Sequence, residues 1–317
     1  MTTAKEDNNF SVRKLSWSER FGLFGQDMIL GGSVTSLSKT AMAPLERVKI
    51  LLQTQSASKQ IAKDQQYKGI VDSFTRITRD QGFLSLWRGN GINIIRYFPT
   101  QALNFAFKDV YKQIFMPTKG SDKKISKWDF AIRNMACGGA AGATSLLGVY
   151  PIDLARTRVT SDIGKKGGTR YRNLFHCLKE VYSTEGGLRA LYRGFGISVC
   201  GIVPYRAVYF GGYDNIKRFV LPSTPTVFEL FVAAQTTTFC AQIAAYPFDT
   251  TRRHMHLRGG GADRLYTSSL DCLQKIYQSG GIRAFYRGFV VSSMRSFGGA
   301  LSLVLFDNIT KHLKFSL

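Results

Sequence analysis

Residues 38–52 read SKTAMAPLERVKILL. Within a run of small and apolar residues the stretch carries Lys39, then Pro44, then Glu46 and Lys49 three residues apart. A soluble helix would set such charges on a wet face opposite an apolar one, yet the residues between them are too apolar and too small for a surface of that kind. The stretch recurs. Pro44, Pro151 and Pro247 stand 107 and 96 residues apart and open the phrases PLERVK, PIDLAR and PFDTTR. With 317 residues in all, a period near one third of the length makes the chain three copies of one unit.

Each copy has the same grammar. A Gly/Ala-rich apolar segment leads into the proline phrase, a polar loop and a short amphipathic stretch follow, and then an aromatic-Arg-Gly triplet opens a second apolar segment. The triplets are WRG at 87–89, YRG at 192–194 and YRG at 286–288. The six long segments fall at 22–54, 92–115, 129–160, 196–219, 226–257 and 288–314. Each exceeds the about 20 residues a helix needs to cross a bilayer, although none is an uncharged run and the mean hydropathy is only −0.09. Membrane spans tolerate such charges where they line an aqueous cavity or pair with one another. Gly31, Gly32, Gly138, Gly139 and Gly142 would let neighbouring helices approach closely. A soluble all-helical repeat protein is the competing reading.

The formal net charge is +22, which suits either a nucleic-acid binder or a protein against anionic lipid. Five scattered cysteines (137, 177, 200, 240 and 272) form no CxxC pair, so no disulfide scaffold is expected. Cys177, Cys272 and Ser73 occupy equivalent repeat positions and read as packing residues. The tail at 1–20 has neither a signal-peptide core nor the acid-poor composition of a cleavable presequence, so any targeting address is expected within the mature chain. Domain bounds follow: a polar tail at 1–20 and repeats at 21–118, 119–222 and 223–317.

An acid and a base at i and i+3 share a helix face, so Glu46/Lys49, Asp153/Arg156 and Asp249/Arg252 could be three local pairs. If the three segments surround an axis, the acid of one instead reaches the base of the next, giving Glu46–Arg156, Asp153–Arg252 and Asp249–Lys49. The prolines would bend each segment inward. A second set comprises Asp109 with Lys112 and Asp214 with Lys217. The third copy has Asp307 followed by Thr310 and Lys311, so this ring would form Asp109–Lys217 and Asp307–Lys112 and leave Asp214 without a base. Both sets lie toward the C-terminal ends of antiparallel segments and would therefore close opposite faces, the requirement for alternating access. Between them, unpaired Lys39, Arg96 and Arg295 suit an anionic substrate, arginine above all for phosphate. Gly201, Ile202 and Tyr205 offer a flat wall for a base, with Arg206 beside them.

The three phrases and triplets resemble the mitochondrial carrier family over essentially the whole chain. Residues 38–53, 93–109 and 201–214 are similar to its ADP/ATP carrier branch. That resemblance implies an all-α membrane protein: three tandem repeats of two transmembrane helices plus a short surface helix, in a six-helix pseudo-threefold bundle. It implies a multi-pass monomer of the mitochondrial inner membrane, or of the inner membrane of a mitochondrion-related organelle, that exchanges ADP for ATP with no cofactor and no enzymatic chemistry. A carrier of another anion (a different nucleotide, phosphate or a carboxylate) is the alternative. Substrate contacts would fall on Lys39, Arg96, Gly201, Ile202, Tyr205, Arg253 and Arg295, with Asn104 and Lys108 weaker. The matrix-side gate would be the proline-phrase ring with Gln53 as a brace, and the opposite gate the second set. The nucleotide signature RRRMMM reads here Arg252, Arg253, His254, Met255, His256 and Leu257. Residues two apart on a helix point away from each other, so His254 and His256 are not expected to share a metal. The helix starts after the triplets suit a lipid phosphate such as cardiolipin, or else the aromatic rings are plain interfacial anchors. No nucleic-acid partner is expected.

Overall fold

The computed structural model describes residues 17–58, 60–115, 127–164, 169–222, 225–257, 259 and 265–298. It contains three long helices, each with one of the repeated prolines inside: α1 (Trp17–Thr54), α4 (Lys127–Ser161) and α8 (Val227–His256). Each long helix is followed by a short helix, namely α2 (Ile70–Gln81), α5 (Leu174–Glu185) and α9 (Ser269–Phe285). The return helices are α3 (Asn90–Phe115), α7 (Phe195–Phe219) and α10, which is described over 289–298. One further turn, α6 (Leu188–Leu191), separates α5 from α7. No strand occurs among the described residues.

Helices pack on their neighbours in chain order. α3 lies along α4 and α7 along α8, while α1 meets α3 and α4 meets α7. The last closes on the first: Val291 of α10 is buried in a cluster with Val48 and Leu51 of α1.

Glycine at the end of each triplet fixes how one repeat seats on the next. Gly89, Gly194 and Gly288 have φ of +85°, +82° and +78°, a region that side chains with a Cβ rarely adopt. Each also leaves no room for one. Gly89 lies against Thr160 of α4, Gly194 against Met255 of α8, and Gly288 against the Lys49 carbonyl of α1. The order is cyclic, from repeat 1 to 2, 2 to 3 and 3 to 1.

Apolar cores concentrate around the short helices. Ile77 of α2 packs with Leu51, Val181 of α5 with Leu154, and Ile276 of α9 with Met255. Ser73, Cys177 and Cys272, at matching positions, are each fully buried, and burial pushes the Cys177 thiol up to about 12, which makes it chemically inert. At the junction of α5 with α7, Glu185 receives Arg158 (2.5 and 2.8 Å) and Arg193 (2.5 Å). Burial alone would raise this carboxyl, but Arg158 and Arg193 hold it below its ordinary range.

The long and return helices carry their large apolar side chains outward. Ile132, Leu147, Val203, Phe228, Val290 and Phe297 are all exposed. One described stretch, 132–161 in α4, is apolar and long enough to cross a membrane by itself.

Candidate functional site: a charged ring beneath a cationic cavity

The three acid-base phrases, each two residues beyond its helix's proline, come together near the ends of α1, α4 and α8. Glu46 pairs with Arg156, Asp153 with Arg252 at 3.1 Å, and Asp249 with Lys49 at 3.3 Å. Each acid thus meets the base of the following repeat, and the third repeat's acid returns to the first. Asp153 and Lys49 are buried. Gln53 lies one turn below Lys49 and donates to Thr250 Oγ1 at 2.8 Å and Asp249 Oδ2 at 3.4 Å, so it braces the pair that joins α1 to α8. Asn93 of α3 donates to Glu46 at 2.8 Å. Buried pairs of this kind gain little net stability, because desolvation offsets attraction.

Two adjoining cavities stand above the ring and share Lys49, Asp249, Arg252 and Arg295 in their walls. The first, about 370 Å³, is bounded by Lys39, Arg96, Arg156 and Arg253 as well as the shared residues. The second, about 480 Å³, is bounded by Gly201, Ile202, Tyr205 and Arg206. Together they fall in the size range of small-molecule sites. One end is strongly cationic and the other partly apolar, with Tyr205, Tyr209 and Tyr213 stacked in a column along α7 at 6.0 and 6.4 Å. Gly201 packs so closely on α8 that a Cβ there would meet Phe248 at 2.8 Å. On α4, Gly138 and Gly142 leave space that the Arg206 guanidinium fills.

The cavity cations are not uniformly unpaired, which corrects the sequence-based expectation. Arg96 Nε is 2.5 Å from Asp153 Oδ1, so this arginine joins the ring. The physical reason is its place six residues into α3, only about 9 Å along the helix from its start at the ring end. Arg253 is also engaged, with Nε 3.2 Å from Asp249 Oδ2. Lys39 donates to the Asn93 carbonyl at 3.3 Å and lies 4.6 Å over the Tyr97 ring. Arg295 differs from all of these in that no carboxylate pairs with it among the described residues; its Nε, like those of Arg96 and Arg252, is buried without a hydrogen-bond partner. Asn104 lies on α3 outside the walls of both cavities.

Of the second charge set, Asp109 and Lys112 lie on α3, and Asp214 and Lys217 on α7. Lys108 is also on α3, and Lys112 is exposed. Asp307, with Thr310 and Lys311, lies outside the described residues.

The two histidines go to different neighbours. His254 bonds the Gln53 carbonyl at 2.9 Å and Tyr266 Oη at 3.1 Å. His256 bonds Tyr150 Oη and Thr157 Oγ1, both at 3.1 Å. One ties α8 to α1 and the other ties it to α4. No group of three or more His, Cys, Asp or Glu that could hold a metal occurs among the described residues. His254→Arg is therefore expected to leave the choice of substrate unchanged while lowering the melting temperature in detergent, since the larger cation must enter a filled site. Competition uptake with a nucleotide panel, beside a melting curve, checks both halves.

Sequence reasoning missed Asp162 as a hub. This buried carboxylate receives Arg88 at 2.7 Å, Gln60 at 3.0 Å and the Tyr171 amide at 3.2 Å, joining repeat 1 to repeat 2. Nothing in its surroundings in the chain marks it out, because it has no counterpart at matched spacing in the other repeats.

The family described as mitochondrial carrier protein matches the chain three times, at residues 22–119, 127–224 and 223–317. ADP/ATP translocase 4 of Bos taurus is 53% identical over 288 residues, covering 90% of this chain and 88% of that protein. ADP/ATP translocase 2 of Bos taurus and ADP/ATP translocase 3 of Homo sapiens are each 52% identical over 292 residues, covering 91% of this chain and 97% of theirs.

Proposed function

The chain belongs to the mitochondrial carrier family, and we propose that it exchanges ADP for ATP across the mitochondrial inner membrane by alternating access. The observation that carries this reading is the cationic cavity floored by a closed ring. Lys39, Lys49, Arg96, Arg156, Arg252, Arg253 and Arg295 gather around three carboxylates, Glu46, Asp153 and Asp249. That excess of positive charge suits a polyphosphate, while Ile202 and Tyr205 offer a surface for a purine. The names of the relatives support the same substrates.

In this reading the chain is a six-helix pseudo-threefold membrane bundle with repeats at 21–118, 119–222 and 223–317. Supporting it are the cyclic seating of the triplet glycines and a cross-section turned inside out relative to a soluble protein, with apolar side chains outward and charges inward. On this reading the ring is the matrix-side gate, and its closed pairs seal that side. Nucleotide phosphates compete with the ring carboxylates for Arg96, Arg253 and Lys49 and thereby loosen the seal. Asp109, Lys112, Asp214, Lys217 and Asp307 form the opposite gate. Binding energy is spent on interconversion of the two states, as differential affinity requires.

An anionic phospholipid such as cardiolipin is the proposed lipid partner. A groove of about 1590 Å³ between repeats 1 and 2, with Arg88, Gly91, Tyr171 and Arg172 in its wall, suits a doubly acylated phosphate at the start of α3. The protein works as a monomer, without a cofactor or an enzymatic reaction.

Counter-exchange in liposomes loaded with ADP, ATP, other nucleotides, phosphate or a carboxylate tests the reading. Uptake driven best by ADP or ATP is the expected result. Uptake driven best by phosphate or a carboxylate would overturn the substrate and leave the carrier architecture standing.

A further inference from the structure

A proline inside a helix removes the N–H that would bond the carbonyl four residues earlier. Pro44, Pro151 and Pro247 therefore leave the carbonyls of Thr40, Leu147 and Ile243 without their helical donors. Inside a bilayer, water cannot take over that role, and an unpaired carbonyl is costly. All three are bonded by the same device. Trp87 Nε1 donates to the Thr40 carbonyl at 2.8 Å, Tyr192 Oη to that of Leu147 at 3.1 Å, and Tyr286 Oη to that of Ile243 at 3.0 Å. These are the aromatic residues of the three triplets, and each reaches the long helix of its own repeat.

Two features argue against coincidence. The donor changes chemically, from an indole N–H in repeat 1 to a phenol in repeats 2 and 3, while the acceptor keeps its offset from the proline. In repeats 2 and 3 the residue before the proline is also a tyrosine, stacked on the triplet tyrosine. Tyr150 lies 5.9 Å from Tyr192 with planes 11° apart, and Tyr246 lies 5.8 Å from Tyr286 at 9°. Their hydroxyls donate onward to the carbonyls of Arg193 at 2.9 Å and Arg287 at 3.3 Å. The proline turn of the long helix is thus fastened from both sides to the segment that starts the return helix.

We propose that Trp87, Tyr192 and Tyr286 are positioning residues for the gate, each satisfying the carbonyl its repeat's proline leaves open and so holding the bend that carries the ring charges inward. None of them is among the residues lining the two cavities. Their effect on transport passes through the ring, and that consequence rests on the exchange reading above; the hydrogen bond itself does not.

The test is a double-mutant cycle between donor and proline on the full chain in detergent and in liposomes. Tyr192→Phe keeps the ring and removes the hydroxyl. It is expected to lower kcat for exchange about tenfold, with KM within about twofold, as the loss of a partner to a carbonyl that lipid cannot satisfy predicts. Spin labels at Thr75 and Ser183, exposed on α2 and α5, should report a longer ring-end distance and a lower melting temperature should accompany it. Pro151→Ala restores an N–H that can bond the Leu147 carbonyl, so in that background Tyr192→Phe should change every readout by less than about twofold. Tyr192→Trp, with the donor repeat 1 uses, should recover most of the loss. Equal effects of Tyr192→Phe in both backgrounds, or none in either, would overturn the proposal, because an interfacial anchor has no reason to be coupled to the proline. If the unaltered chain fails to exchange nucleotides, the transport reading fails, and the distance and melting cycle still decide the positioning role.

Discussion

Arg295→Ala is expected to reduce ADP/ATP exchange in liposomes at least about a hundredfold, the scale of a lost charge-assisted contact in a desolvated site. Arg295 borders both cavities and has no carboxylate partner among the described residues, so its guanidinium is available to a phosphate. Because it is not a member of the ring, the substitution should leave ring-end label distances and the melting temperature close to those of the unaltered chain. Arg295→Lys should recover only part of the rate, since the ammonium restores the charge and not the planar fork. Arg96→Ala is also expected to abolish uptake, but for a mixed reason, because it takes one of two cations from Asp153. The distance measurement separates the two: Arg96→Ala should disturb the ring end and Arg295→Ala should not. Undiminished uptake by Arg295→Ala would remove it from the proposed substrate site.

The second large effect concerns the seam between repeats 1 and 2. Glu46→Arg sets a guanidinium beside Arg156 in a site that already holds Lys39 and Arg96. A buried charge deprived of its partner costs about 3–5 kcal/mol, so exchange should fall at least about a hundredfold. The exchanged pair Glu46→Arg with Arg156→Glu restores opposite charges across the same seam and should return to within about tenfold of the unaltered rate. Recovery stops short because Asn93 donates to Glu46 and would face another donor. A double variant no better than either single one would show that the pair does not act as a unit.

The ring's pairing order was legible because an acid and a base at i, i+3 recur with a proline two residues ahead of the acid. Three repeats of one phrase, paired each with the next, leave few ways to satisfy six charges. The cavity wall at Gly201, Ile202 and Tyr205 was legible from its depth on the return helix. Arg96 was not read as part of the ring, because counting back from Asp109 measures distance from one end of α3 and says little about the other. The contacts of His254 and His256 were invisible for a different reason: periodicity gives the face of a side chain and not the neighbour on that face. The hydrogen bonds of Trp87, Tyr192 and Tyr286 were hidden by their own plausibility as interfacial rings, although the orphaned carbonyls were already implied by the prolines.

The seating of Gly288 on the Lys49 carbonyl also bears on how the chain is born. A ribosome delivers repeat 1 first, when neither Asp249 nor the α10 segment that packs on α1 yet exists. Until the third repeat emerges, Lys49 lacks its Asp249 partner and one flank of α1 stands uncovered. Closure of the ring therefore waits on the last third of the chain, which supplies both Asp249 and the α10 segment against α1.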